Sequence, residues 1–135
     1  MELYIGGYAQ GKLEYVKTKY PDAIVFDETN ARDLLSASKE KLNAKETIVF
    51  NHFHLVIKKM LNNGNSVERI EENIIQLLKQ NPNPVIISDE IGNGIVPMEQ
   101  SERLYRESTG RLLIEIAKKA DRVERIICGI PQRIK

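Results

Sequence analysis

Pro84-Val85-Ile86-Ile87-Ser88-Asp89-Glu90-Ile91-Gly92-Asn93-Gly94-Ile95-Val96-Pro97 decides how this chain is read. A short apolar run ends on two acids, and a loop with glycines two apart leads to an Ile-Val pair stopped by proline. The run reads as a buried strand of an open α/β protein. In such folds ligands gather at the carboxyl ends of the strands, and carboxylates placed there address a metal ion or a proton. Asp89 and Glu90 are therefore the first candidates for catalysis and for metal contact, and Gly92, Gly94 and Pro97 shape the loop beside them. Two acids can also do no more than solvate a strand end.

Working outward, short β-branched runs alternate with longer helical patterns. Strands are expected over Leu3–Ile5, Ala23–Phe26, Thr47–Phe50, Val85–Ile87 and Val123–Cys128, with a last short one over Gln132–Ile134. Between them fall helices over Gly11–Tyr20, Ala31–Leu42 and Phe53–Leu61. A further helix begins near Ser66, and its apolar stripe Val67, Ile70, Ile74, Leu77 and Leu78 has helical spacing. Asn81-Pro82-Asn83-Pro84 stops it. A long helix then spans Glu99–Ala120. This alternation predicts a three-layer α/β domain over residues 1–135 with a mostly parallel sheet covered on both faces, and the glycine-lysine loop after its first strand makes it one of P-loop type.

The bulk numbers narrow the function. With 20 basic and 19 acidic residues among 135, the net charge of +1 gives no footprint for nucleic acid or an anionic membrane. No apolar stretch is long enough to span a bilayer, and the first residues carry no basic, apolar leader pattern. A cytoplasmic protein is the expectation. The one cysteine, Cys128, sits in an apolar run and is expected as a buried strand thiol.

The first strand leads into Gly6-Gly7-Tyr8-Ala9-Gln10-Gly11-Lys12, a Gly-x4-Gly-Lys match that opens the first helix. Glycines there let backbone amides curl round a phosphate, the helix N-terminus adds a favourable field, and the lysine meets the outer phosphates. Residues Gly6 to Lys12, with Leu13 after them, are thus candidates for binding ATP or GTP. A P-loop has Ser or Thr in the next position to hold Mg²⁺, and Leu13 has no hydroxyl. A plain strand-to-helix turn remains the other reading. If the sheet is parallel, this loop lies at the carboxyl edge beside Asp89 and Glu90.

These residues resemble the bifunctional cobinamide kinase / cobinamide-phosphate guanylyltransferase family of the cobalamin pathway. The likeness runs through Gly6-Gly7 and Gly11-Lys12, then Ser88, Glu90-Ile91-Gly92 and Gly94-Ile95-Val96-Pro97, then Gly110-Arg111, Ala120-Asp121-Arg122-Val123, Gly129 and Ile134-Lys135. The resemblance implies a nucleotide-dependent kinase acting on the aminopropanol hydroxyl of adenosylcobinamide, transfer of GMP through a histidine, and a homo-oligomer, a trimer. It gives phosphate contact to Lys12 and the Gly6–Gly11 amides, the metal or reacting hydroxyl to Glu90, and a site-facing place to Arg111.

Four departures set this chain apart from that pattern: Leu13; Asn51, where the family ends its third strand in an acid; Leu112-Leu113-Ile114 after Gly110-Arg111, where the family continues x-Asn-Gln; and a shortened stretch after Asp27-Glu28-Thr29-Asn30, where the acceptor histidine would lie. The first two remove metal contacts and predict weakened catalysis, and the last predicts that guanylyl transfer is lost. The alternative is a non-catalytic nucleotide- or corrinoid-binding partner of a complete enzyme. His52 and His54 are expected in capping or packing roles, and Arg103 and Arg106 on a solvated helix face, with reach to a phosphate or a neighbouring subunit as their other reading.

Overall fold

The computed structural model describes residues 1–30, 47–80 and 83–135. The helix expected over Ala31–Leu42 lies outside the described residues. In order, the elements are β1 (Glu2–Gly6), α1 (Lys12–Lys19), β2 (Ile24–Phe26), β3 (Ile48–Phe50), α2 (Phe53–Asn62), α3 (Val67–Gln80), β4 (Val85–Asp89), α4 (Gln100–Lys119), β5 (Arg122–Ile127) and β6 (Ile130–Arg133).

The strands form one sheet in the order β2-β3-β4-β1-β5-β6. Every pairing is parallel except β5 with β6, which is antiparallel. Period-2 alternation sends successive side chains to opposite faces. Leu3, Ile86 and Val123 pack with Phe53, Ile57, Ile70, Ile74, Tyr105, Leu112 and Ile116 of α2, α3 and α4 on one face. Tyr4, Val49, Val85, Ile87 and Ile126 pack with Val16 of α1 on the other. Helices therefore cover both faces, and the architecture is the three-layer α/β arrangement that the alternation predicts.

The second face carries a polar inset. Tyr4, fully buried, hydrogen-bonds Glu2 and accepts from Lys19. The Lys19 ammonium lies 5.1 Å from the Tyr4 ring centre and 5.6 Å from that of Tyr20. Such cation–ring contacts let a lysine accompany aromatic side chains into the interior. Burial, and then the hydrogen bond to Glu2, push the Tyr4 hydroxyl far above its usual range, and the same causes push Tyr20 up to about 12.

One expectation fails at the sheet edge. Cys128 is exposed and is not a strand residue. Cys128 and Gly129 are the two central residues of a tight turn between β5 and β6, with φ of 51° and 77°. Two-residue hairpins take this doubly left-handed form because its twist matches that of the flanking strands. The antiparallel hairpin ends β5 one residue before the apolar run does, and the thiol is turned outward. Pro131 is tolerated in β6 because that strand is the sheet edge. Among the described residues, no helix is long and apolar enough to cross a membrane.

Candidate functional site

Parallel pairing decides what meets at the carboxyl edge. β1 and β4 are neighbours in a register that sets Gly6 opposite Asp89, and the Glu90 amide continues the ladder by donating to the Gly6 carbonyl at 2.9 Å. The loop after β1 and the acids after β4 therefore share one spot. β3 lies on the other side of β4, so Asn51, His52 and His54 arrive at the same edge.

Lys12 is the first residue of α1, and its side chain folds back over the loop. Its ammonium donates to the Gly7 carbonyl at 2.6 Å and lies 2.6 Å from Asp89 Oδ1. Both partners are largely shielded, at 6% and 13% exposure. A lysine this buried is held only because it is paired. The loop has the backbone that its glycines imply: Gly11 has φ 78°, and Ala9 joins it in the left-handed region at φ 53°. Tyr8 stands out from the loop into solvent.

The β5–β6 hairpin closes the loop from the other side. Gln10 accepts from the Gly129 amide through its carbonyl at 2.9 Å and from the Cys128 amide through Oε1 at 2.7 Å. A Cβ on Gly6 would overlap the Ile126 carbonyl oxygen, whereas at Gly11 it is the φ of 78° that favours glycine. Glycine at position 6 permits the close approach of two backbones.

His54 is a site residue that capping or packing does not describe. It is buried, its Nδ1 accepts the Asp89 amide hydrogen at 3.1 Å, and its Nε2 lies 3.6 Å from Asp89 Oδ2. Burial, opposed by the nearby Asp89 charge and reinforced by His52 and Lys12, lowers its pKa below the usual histidine value. Neighbouring His52 has φ 49° and faces Glu28 at 3.3 Å. The signal was present in Asn51-His52-Phe53-His54 directly after a strand, but it has meaning only once β3 is known to lie beside β4.

Glu90 pairs with Arg125 of β5 at 2.7 Å, a partner that sequence reasoning missed because it lies two strands away. Gly92, Gly94 and Pro97 lie in the exposed loop before α4, and arginines hold that loop from below. Arg103 donates to the Pro97 carbonyl at 2.9 Å, and Arg106 to that of Ile95 at 2.8 Å. These two arginines are loop anchors and not a merely solvated face. Arg111 lies midway along α4, exposed, and pairs with Glu107 one turn back at 2.5 Å. The structure does not bring it to Lys12 or Asp89 within the chain. Leu13 packs against the α1-side core, and buried Asn51 donates its backbone N–H to the Phe26 carbonyl at 2.7 Å.

The acids do not form a cage for a metal ion. Among the described residues, no group of three or more His, Cys, Asp or Glu could share one. The two Asp89 oxygens face Lys12 and His54, and Glu90 is paired with Arg125. This donor set does not fit a metal held by the protein alone.

A mostly parallel three-layer sheet with a glycine loop, a helix-opening lysine and strand-end acids at one carboxyl edge defines a P-loop-type α/β protein. The sequence model of one family, cobinamide kinase / cobinamide phosphate guanyltransferase, matches residues 25–134, and the chain belongs to that family. The matched stretch includes Asp89, Glu90 and the Gly92–Pro97 loop and begins after Lys12. Comparison with curated proteins gives no match.

Proposed function

We propose that residues 1–135 form one nucleotide-binding domain that takes the phosphates of ATP or GTP in the Gly6–Lys12 loop and phosphorylates a cobinamide hydroxyl with reduced turnover. The observation that carries this reading is the Lys12 ammonium, held inside the loop between the Gly7 carbonyl and Asp89. A cation preset among backbone amides at a helix start suits a polyphosphate. Membership of a family named for a kinase and a guanyltransferase supplies the acceptor and the reaction class.

In this reading the loop amides and Lys12 bind and orient the phosphates. Asp89 holds Lys12 in place. Glu90, oriented by Arg125 at 2.7 Å, receives the proton of the acceptor hydroxyl. Gly92, Gly94 and Pro97 border the acceptor, and Arg111 serves a neighbouring subunit of a homo-oligomer. Leu13 and Asn51 would offer a nucleotide's Mg²⁺ neither hydroxyl nor charge, so the hold on the phosphates would rest on Lys12 and the loop amides. Loss of one preorganised transition-state contact commonly costs about 10²–10³ in rate, which sets the expected deficit.

Those same two positions favour a second reading, a nucleotide- or corrinoid-binding partner without turnover. Calorimetric titration with ATP and GTP, with and without Mg²⁺, and a kinase assay on adenosylcobinamide separate the two. Binding that barely depends on Mg²⁺, with slow turnover removed by Glu90→Gln, supports the weakened kinase. Binding without turnover supports the partner. Absence of nucleotide binding would return Gly6–Lys12 to a plain turn.

A further inference from the structure

The His54 ring spans both the backbone and the side chain of Asp89. Its Nδ1 accepts the Asp89 amide hydrogen at 3.1 Å, so the ring proton sits on Nε2. That Nε2–H faces Asp89 Oδ2 across 3.6 Å, just beyond hydrogen-bonding distance. Oδ1 of the same carboxylate is 2.6 Å from the Lys12 ammonium. One shielded carboxylate thus stands between a cation in contact and a neutral donor held slightly back.

A polyphosphate in the loop competes with Asp89 for Lys12. A carboxylate left without a partner at 13% exposure is costly unless another donor reaches it. His54 Nε2–H is that donor, and a shift of under about 1 Å brings it to hydrogen-bonding range. We infer that His54 is a positioning residue for the phosphate site, taking over the Asp89 carboxylate through Nε2–H when a phosphate draws Lys12 away. This rests on the reading that the Gly6–Lys12 loop binds a nucleotide's phosphates. Ligand entry then exchanges one partner of Asp89 for another, and no buried charge is stranded.

The test compares ATP titrations of the wild type, His54→Asn and His54→Phe, with imidazole nitrogen NMR of the wild type. His54→Asn keeps an oxygen that can accept the Asp89 amide and lacks the Nε2 donor. It should keep wild-type thermal stability and bind ATP about tenfold more weakly, the worth of one hydrogen bond to a charged group. His54→Phe should lose both stability and affinity. In the wild type, the Nε2–H resonance of His54 should move downfield and exchange more slowly when ATP saturates the loop. Wild-type affinity in His54→Asn, or an Nε2–H signal indifferent to ATP, overturns the inference while leaving the nucleotide reading intact. A wild type that binds no ATP overturns both. If His54→Phe does not fold, the asparagine variant and the wild-type spectrum still decide.

Discussion

At the scale of the residue, the pair Lys12–Asp89 has two jobs that pull against each other. As a shielded ion pair it contributes structure, and removal of one member strands the other's charge, which commonly costs about 3–5 kcal/mol. In the phosphate site proposed above it would have to open. Lys12→Met and Asp89→Asn should each destabilise the fold, and the double variant should be more stable than the sum of the two losses by at least about 1 kcal/mol. Urea unfolding of the four proteins measures this, and strict additivity would mean that the 2.6 Å contact carries no energy. His52 and His54 give a second prediction at this scale. His54 is buried against Asp89 and His52 is engaged with Glu28, so incubation with GTP should leave the intact mass of the chain unchanged. A GMP adduct on either histidine would restore the guanylyl-transfer chemistry that the shortened stretch after Asn30 argues against.

At the scale of the element, the turn between β5 and β6 governs the loop after β1, since both backbone amides of the turn end on Gln10. Cys128 holds φ 51° in that turn, where asparagine is more at ease. Cys128→Asn should raise stability by a few tenths of a kcal/mol up to about 1. The native protein should also react fully with a thiol reagent at this position, and a protected thiol would contradict the exposed turn. Gly6→Ala, by contrast, drives a methyl into the Ile126 carbonyl and should lower the melting temperature and loosen the loop together.

These elements also show how far the sequence could be read. Strand-helix alternation gave the layers, and the run from Pro84 to Pro97 gave β4 and its acids, because burial and period are local properties. The meeting of Lys12 with Asp89 needed only one further rule, that parallel strands end at the same edge. What stayed hidden depends on strand order. His54 reaches Asp89 because β3 lies beside β4, and Arg125 reaches Glu90 across β1, and neither adjacency is written in spacing along the chain. Cys128 was misread because an apolar run looks the same whether it continues a strand or bends into a hairpin.

At the scale of the whole molecule, the tyrosines set an alkaline limit. Burial and neighbouring carboxylates raise the pKa of Tyr4, Tyr20 and Tyr105 above the free value near 10. A raised folded-state pKa means that the folded chain holds protons the unfolded chain releases. Stability from these groups is complete below about pH 10 and drains away as pH rises further, through about 12 for Tyr20. Phenolate absorbance should therefore rise in two stages, with the buried hydroxyls ionising only as the fold is lost. One smooth titration of all five tyrosines, with native structure retained, would contradict this account.

The placing of β1 has a kinetic consequence. It is the earliest strand in the sequence, yet its two neighbours in the sheet are β4 and β5, whose residues begin at Val85 and Arg122. Closing loops of that length loses chain entropy before any pairing is gained, and folding rates fall as such separations grow. Leu3 and Tyr4 gain their sheet partners only from the second half of the chain. This topology predicts that insertion of the amino-terminal strand between β4 and β5 limits refolding, so Leu3→Ala should slow the main refolding phase in stopped-flow experiments, and the Gly6–Lys12 loop attached to that strand should order late.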